Sequence, residues 1–321
     1  MDNLTHSLAG ALLGEMGLKR RSRFAMAGCI LGANAPDIDV FAPRFLPVEG
    51  IAFHRGPTHA VIGWPLLAIG IVAILWLLDW LKPGEEASPG QAAPLPFRPL
   101  PLLGVTFLAV LTHPFLDWLN TYGINLLAPF SPEWQAGDAI FIIDWVYWLL
   151  MILGIFWSRR LDRHGLANPG RPARIMGLAL AGYIALNLGV STRAEAQTTA
   201  ALTAQGIRPT MVVASPPPFL FWQRRMLWRD GASYGAGDYD VFHDRVTIEP
   251  KRAPLGLTDP RLAAAAQRSR HIRGFLYWSR MPLVVERDGK PYLTDQRFYG
   301  QILKIGLKPT RFDGFLVPLQ P

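Results

Sequence analysis

The sequence is poor in cysteine and in charged residues. Its 321 residues include one cysteine, Cys29, and only 17% charged residues, whereas soluble domains usually carry about 25%. A single thiol can form neither a disulfide within the chain nor a thiolate metal site. Since Cys29 stands in an apolar run, we expect it to be a small buried hydrophobic residue. The shortage of charge, together with 50% hydrophobic residues, favours a membrane protein.

The formal net charge of +8 lies entirely in the last part of the chain. Residues 1–191 hold 13 Lys/Arg and 13 Asp/Glu, whereas residues 192–321 hold 19 and 11. A basic domain of this kind predicts contact with membrane lipids, either anionic headgroups or a phosphorylated substrate. No Lys/Arg-rich arm or nucleic-acid motif accompanies the charge, so no nucleic-acid partner is expected.

Apolar runs predict an all-α polytopic membrane domain over residues 1–191. Two short runs indicate an N-terminal helical hairpin around the basic turn Lys19–Arg23, and about four longer runs indicate spans. No signal peptide is expected, because the positive charges follow the first run rather than precede it. A Pro/Gly/Ala-rich linker is predicted at Pro83–Pro101. The hairpin arms and spans are predicted at Leu4–Leu18, Phe24–Ala35, Ala60–Leu81, Leu100–Leu119, Ala139–Trp157 and Arg174–Val190.

The loops between these runs orient the domain in a bacterial inner membrane. Ser158–Arg174 carries five arginines against one aspartate, which makes it cytoplasmic by the positive-inside rule, as is Lys19–Arg23. The alternation of spans then places segments 36–59 and 120–138 outside. The chain from residue 192 onward is also outside, in the periplasm.

Residues 192–321 predict a smaller soluble α+β domain. Turn signals separate short runs with strand character. A helix is predicted at Arg261–Arg270, with Asp259 as its N-cap and Pro260 in its first turn. The predicted strands are Met211–Ser215, Arg225–Trp228, Asp240–Ile248 and Pro282–Glu286.

Histidines and carboxylates recur where the predicted spans reach the outer face. Ionisable groups at such depth are costly and usually face a cavity, a partner or an ion. Imidazole with carboxylate is a ligand set for zinc, manganese or iron, and more than four such groups can hold two metals. The candidates are Asp2, His6, Asp37, Asp39, His54, His59, His113, Asp117, Asp138 and Asp144, with Asn120 on the same helix face as His113 and Asp117.

Each element also has a structural interpretation. Asp2 can cap the first helix, Asp37 and Asp39 can cap or solvate a loop, and the His54–His59 segment can be an ordered turn. His113 and Asp117 can form a buried hydrogen bond. Asp138 can be an N-cap, and Asp144 can pair with an arginine. Their common position at one membrane face favours a metal site over these separate explanations.

The motifs resemble those of the inner-membrane metal-dependent hydrolases of bacteria. The resemblance extends over nearly the whole chain and implies a membrane-embedded helical site, comparable with zinc-dependent phospholipase C and P1 nuclease. Trp145 departs from the pattern, in which proline follows Asp144. The motifs are Asn3–His6, Pro36–Asp39, His54–His59, His113–Gly123, Pro129–Ser131, Asp138–Asp144 and Asp295–Phe298. The implied ligands of one or two divalent metals, with zinc favoured, are His6, Asp37, Asp39, His54, His59, His113 and Asp117.

The resulting hypothesis is a membrane-bound hydrolase that cleaves a phosphoester or lipid-linked substrate with metal-activated water. The predicted catalytic group is Arg55, Asn120, Asp138 and Asp144. Arg55 can bind a phosphate or pair with Asp37 or Asp39, while Asn120 and Thr58 orient the ligands. The alternative is a non-enzymatic membrane protein whose His/Asp site is structural or handles ions.

Overall fold

The structure is a computed structural model that describes residues 1–82, 95–299 and 315–319. Most of the predicted linker Pro83–Pro101 lies outside these residues. The chain divides into two compact units, of which the first comprises residues 1–42, 54–136 and 142–185. The second comprises residues 43–53, 137–141 and 186–321.

The first unit is helical, and three helices in the described part of the chain are long and apolar enough to cross a membrane. These three are α5, α6 and α8. The helices α1 and α2 form the predicted hairpin, with a 3-10 turn at Leu18–Arg20 between them. The α-helices of the described residues are α1 (Asn3–Glu15), α2 (Ala25–Asn34), α3 (Ala42–Phe45), α4 (Gly50–Phe53), α5 (Gly63–Leu81), α6 (Pro99–Trp118), α7 (Trp145–Arg163), α8 (Arg171–Ala204), α9 (Pro260–Arg268) and α10 (Arg270–Trp278).

Two predicted spans have the wrong bounds. The span predicted at Ala139–Trp157 is helix α7, which begins later because Asp144 caps it, and which continues to Arg163. Arginine is a good helix former, so the fall in hydropathy after Trp157 does not end the helix. The span predicted at Arg174–Val190 is helix α8, which runs on to Ala204. The predicted domain boundary after residue 191 therefore falls inside a helix.

Helix α2 packs closely on α6 through two glycines four residues apart. A Cβ atom on Gly28 would lie 2.5 Å from the Thr106 hydroxyl oxygen, and one on Gly32 would lie 2.8 Å from the Thr106 carbonyl oxygen. Small residues at this spacing let helix backbones approach each other in membranes. The close approach places the backbone of Ala33, at the end of α2, beside His113 of α6.

The second unit contains two antiparallel sheets. One is a meander in the order β1–β2–β3–β4, and its buried face includes Ala214, Met226 and Tyr239, which cluster with Ala194 of α8. The other has the order β5–β6–β7. The strands are β1 (Met211–Ser215), β2 (Gln223–Arg229), β3 (Ser233–Asp240), β4 (Arg245–Pro254), β5 (Pro282–Arg287), β6 (Lys290–Asp295) and β7 (Val317–Pro318).

Strands β1, β2 and β5 lie where they were predicted, whereas the strand predicted at Asp240–Ile248 is wrong. The chain turns there, because the Asp240 carboxylate accepts hydrogen bonds from the backbone N–H groups of Phe242 and His243. The turn separates β3 from β4. Asp259 caps α9 as predicted, but Ser269 ends that helix and its hydroxyl caps α10, which was not predicted.

Candidate metal centre

Helix α6 supplies two of the predicted ligands from one face. His113 and Asp117 are one helical turn apart, and neither is exposed to solvent. The Nδ1 atom of His113 lies 2.7 Å from the backbone carbonyl oxygen of Ala33. Because a carbonyl can only accept, Nδ1 carries the proton and the lone pair of the neutral ring is on Nε2.

The segment after α4 supplies a third buried ligand. His59 is unexposed, and its Nδ1 atom lies 3.2 Å from an oxygen of Asp39. A carboxylate also only accepts, so His59 too has its lone pair on Nε2 when neutral. The two Nε2 atoms, of His59 and His113, lie 3.0 Å apart. Two lone pairs facing each other at this distance need a proton or a metal cation between them.

Two carboxylates complete a group of four around these nitrogens. Asp37 Oδ1 lies 3.6 Å from the Nε2 atom of His59 and 3.3 Å from that of His113. Asp117 Oδ2 lies 3.4 Å and 3.5 Å from the same two atoms. Tetrahedral zinc with bonds of about 2.0–2.1 Å separates its ligand atoms by about 3.3–3.4 Å. The four side chains Asp37, His59, His113 and Asp117 therefore fit a tetrahedral metal ion.

The carboxylates of the short 3-10 segment Ala35–Phe41 are held ionised. Burial alone would raise the pKa of Asp37, but hydrogen bonding to His113 and His59 lowers it well below its usual range. Burial likewise opposes the ionisation of Asp39, and its hydrogen bonds to His54 and His59 lower its pKa. The segment thus presents two negative charges, which suits a cation.

Asp39 acts mainly through hydrogen bonds. One of its oxygens accepts from the Arg55 backbone N–H at 3.0 Å and from the Thr58 hydroxyl at 2.7 Å, and it also faces His59. The other lies 2.8 Å from Nδ1 of His54. Asp37, Asp39 and His54 form a second group of potential ligand atoms within 4.8 Å of one another. In that group the contact between Asp39 and His54 already occupies an atom of each.

His6 lies beside the four-residue group. Its ring stacks on that of His113 with centroids 3.7 Å apart, and its Nε2 atom lies 3.4 Å from Asp117 Oδ1. Both ring nitrogens of His6 are buried without a hydrogen-bond partner among the described residues. The amine of Met1 contacts the same Asp117 oxygen. Buried polar atoms are normally paired, so this side of Asp117 is also suited to an ion.

Arg55 is a buried clamp at the base of the site. It has a positive φ of 64°, and its guanidinium Nε lies 2.9 Å from Asp117 Oδ2. It also donates to the side-chain oxygen of Asn120 at 3.0 Å and covers the ring of Tyr122 at 4.6 Å. The predicted pairing of its side chain with Asp37 or Asp39 is therefore wrong, because the guanidinium pairs with Asp117 instead.

Three of the sequence candidates are engaged outside the group. Asp2 caps α1 through the backbone N–H groups of Leu4 and Thr5. Asp144 caps α7 and accepts a hydrogen bond from the Tyr183 hydroxyl at 2.9 Å. Asp138 belongs to the second unit and pairs there with Arg280 at 3.0 Å. These contacts give Asp138 and Asp144 structural roles and leave no carboxylate oxygen of Asp144 free for catalysis.

Two members of the site were not identified from the sequence. The carbonyl of Ala33 fixes the His113 ring, and the Tyr122 ring supports Arg55. A backbone oxygen carries no signal in side-chain patterns. Tyr122 stands within the motif His113–Gly123, but nothing in the spacing indicates that it stacks on an arginine.

The comparison with protein families assigns the first part of the chain. A family profile described as YdjM inner membrane protein matches residues 1–196. The chain belongs to the YdjM inner membrane protein family. The match covers both α6 and the segment with His54–His59, so the group of possible ligands lies in the YdjM region. Together with the three apolar helices, it identifies the chain as a membrane protein.

One curated relative is similar over part of its length. The chain is 30% identical over 152 residues to a Bacillus subtilis (strain 168) protein described as uncharacterized protein YfhP, over 45% of this chain and 42% of the relative. The chain thus spans less than half of that relative. No solved structure matches, so the comparison with phospholipase C and P1 nuclease stays a prediction.

Proposed function

We propose that this protein is a membrane-bound metal-dependent hydrolase that cleaves a phosphoester or lipid-linked substrate. The observation that carries the proposal is the 3.0 Å approach of the Nε2 atoms of His59 and His113 between two carboxylates. A proton could also lie between the two nitrogens. The tetrahedral spacing of four ligand atoms and the unpaired nitrogens of His6 favour a metal ion.

In this proposal Asp37, His59, His113 and Asp117 hold the ion, with zinc favoured for a set of two nitrogens and two oxygens. When bound, such an ion polarises a phosphoryl or carbonyl oxygen and lowers the pKa of a water molecule. Asp39 holds the His59 ring, and the Ala33 carbonyl holds the His113 ring. Ligand orientation by a hydrogen bond from the second ring nitrogen is the usual arrangement in metal sites.

His54 is suited to move a proton. Its side chain is 26% exposed, in contrast to the unexposed His59 and His113, and its Nδ1 atom is fixed on Asp39 at 2.8 Å. A histidine oriented by a carboxylate can accept a proton at its other nitrogen and later return it to a leaving group. We therefore assign His54 to proton transfer and expect one strongly bound ion.

The surroundings of Asp37 support a lipid or lipid-linked substrate. Asp37 is the partly exposed member of the group, with 17% of its side chain accessible. It lines a groove of about 400–500 Å³ scale, recorded at 500 Å³, whose walls include Val40, Phe41, Leu66 and Ile74. An apolar groove with a single carboxylate in its lining suits an acyl or isoprenoid chain, with the ester linkage beside Asp37.

The metal assignment is tested by elemental analysis of the protein purified in detergent. We expect about one zinc per chain, which is lost in the double variant His59→Ala/His113→Ala. The control is His243→Ala/His271→Ala, which removes two exposed histidines of the second unit. Equal metal content in the two double variants would refute the ligand set.

The activity is tested with phosphodiester and phospholipid substrates before and after chelation. We expect hydrolysis that disappears with a chelator and returns with zinc. His54→Gln should lower kcat at least 10-fold with metal content unchanged, because proton transfer typically contributes 10²–10⁴-fold. Hydrolysis that persists in the metal-free protein would exclude the metal mechanism.

One observation favours a structural metal as the second candidate. Three of the four ligands are unexposed, whereas catalytic sites keep a position open to substrate. In that case metal removal unfolds the first unit and no substrate is cleaved. Unfolding temperature measured with and without metal, beside the activity assay, separates the two functions.

A further inference from the structure

A second groove of the first unit lies between α1 and α7 and combines apolar and cationic walls. It has a volume of about 400 Å³. Leu8 of α1 forms one side, and Ile152, Ile155 and Phe156 of α7 form the apolar part of the other. None of these residues contributes to the metal centre, so the groove needs an explanation of its own.

The cationic wall of the groove continues the same face of α7. Arg159, Arg160 and Arg163 lie four to eight residues beyond Ile155, at helical spacing from the apolar residues. At 1.5 Å per residue the stripe from Ile152 to Arg163 is about 16 Å long. The groove is therefore apolar at one end and strongly basic at the other.

Two of the three arginines are available to a ligand. Arg159 pairs with Glu15 at 3.0 Å, and the nearby Asp162 is taken by Lys19 and Arg20. Arg160 and Arg163 are exposed and have no ion pair within the described ranges of the chain. Their charge is not neutralised by the protein.

Capping of the helix does not account for these arginines. Helix α7 ends in a hydrogen-bonded turn in which Gly165 N–H donates to the Asp162 carbonyl and Leu166 N–H donates to the Leu161 carbonyl. His164 N–H likewise donates to the Arg160 carbonyl. The last carbonyls are thus satisfied by backbone, and the guanidinium groups remain directed to other partners.

We propose that this groove binds an anionic phospholipid, with an acyl chain along Ile152, Ile155 and Phe156 and the phosphate between Arg160 and Arg163. Guanidinium groups recognise phosphate in pairs of parallel hydrogen bonds. Basic pockets between helices near the cytoplasmic face bind lipid headgroups. The predicted orientation places this end of α7 on that face. The site is independent of the proposed hydrolase activity.

Lipid retention tests the proposal. Delipidated protein is incubated with micelles containing phosphatidylglycerol or phosphatidylcholine, and retained lipid is measured by mass spectrometry. We expect at least fivefold preference for phosphatidylglycerol, lost in Arg160→Gln/Arg163→Gln. The control Arg208→Gln/Arg245→Gln removes the same charge from exposed positions of the second unit and should retain the preference. Equal loss in both double variants, or no loss in the first, overturns the proposal.

Two further arms separate a lipid from a free phosphate and from a folding defect. Glycerol phosphate at the lipid concentration should not displace phosphatidylglycerol, and Ile152→Ser should lower retention, because the acyl chain contributes. Displacement by glycerol phosphate with no effect of Ile152→Ser would mean a phosphate site without a lipid and would refute the proposal. Arg160→Lys/Arg163→Lys keeps the charges and should retain more than half of the preference, which a misfolded protein would not.

Discussion

His59 and His113 face each other through Nε2 atoms 3.0 Å apart, each held by a hydrogen-bond acceptor on its other ring nitrogen. His59 is held by Asp39 of the 3-10 segment after α2, and His113 by the carbonyl that ends α2. One short stretch, residues 33–39, therefore orients both rings and also supplies Asp37. The metal centre depends on the position of α2 as much as on the ligands themselves.

Asp39→Asn should weaken metal binding about 10–100-fold, the usual effect of losing a group that orients a ligand. The amide cannot accept on both sides, so His59 and Thr58 lose part of their support. Competition with a graded series of chelators measures the change. The control Asp240→Asn removes a carboxylate from an exposed aspartate–histidine pair in the second unit. Unaltered affinity in Asp39→Asn would contradict the role given to Asp39.

Arg55→Lys should destabilise the metal-free protein by about 1–3 kcal/mol, the cost of buried polar atoms left unpaired. A lysine cannot reach Asp117 and Asn120 together with the planar fork that Arg55 provides. Thermal unfolding in the presence of a chelator measures the loss. In Arg23→Lys, which alters a partly exposed pair with Asp79, the change should stay below about 1 kcal/mol. Similar losses in the two variants would refute the clamp.

The sequence was sufficient for the elements whose signal is local. Apolar runs gave α5 and α6 nearly to the residue, and turn residues gave β1 and β5. The bounds of α7 and α8 were missed because arginine and threonine continue a helix after hydropathy falls. The helix after Ser269 was missed because one residue ends α9 and begins α10.

The candidate site could be predicted as a set of residue types but not as a geometry. Helical spacing alone put His113 beside Asp117. The approach of His59 to His113 depends on the close packing of α2 on α6, and the sequence offered no measure of that distance. The division of labour between Asp37, which faces both ring nitrogens, and Asp39, which accepts hydrogen bonds, likewise arises from tertiary structure.

Gly32→Ala should destabilise the first unit by about 1–3 kcal/mol and weaken metal binding, since overpacking has this typical cost. The new Cβ atom would lie 2.8 Å from the Thr106 carbonyl oxygen, so α2 must move and carry Ala33 away from His113. Gly104→Ala is the matched control in a helix, because nothing lies within 4 Å of its Cβ position. That variant should gain about 0.5–1 kcal/mol. Thermal unfolding and metal content together test the pair, and a stabilised Gly32→Ala would contradict the packing argument.

Asp295 should make the second unit sensitive to acid. Burial opposes its ionisation, but the charge and hydrogen bonds of Arg297, with that of Ser279, lower its pKa to about 2. A lowered pKa contributes stability that is fully present above the unfolded value of 3.8 and is lost as pH falls towards 2. The contribution is about 2 kcal/mol. Chemical denaturation of the whole chain, followed by the fluorescence of its tryptophans, should show this loss between pH 4 and 2. Asp295→Asn should be less stable at pH 5 and should flatten that slope, whereas Asp288→Asn, at an exposed position, should leave it unchanged. An unchanged slope in Asp295→Asn would mean that another group controls the acid transition.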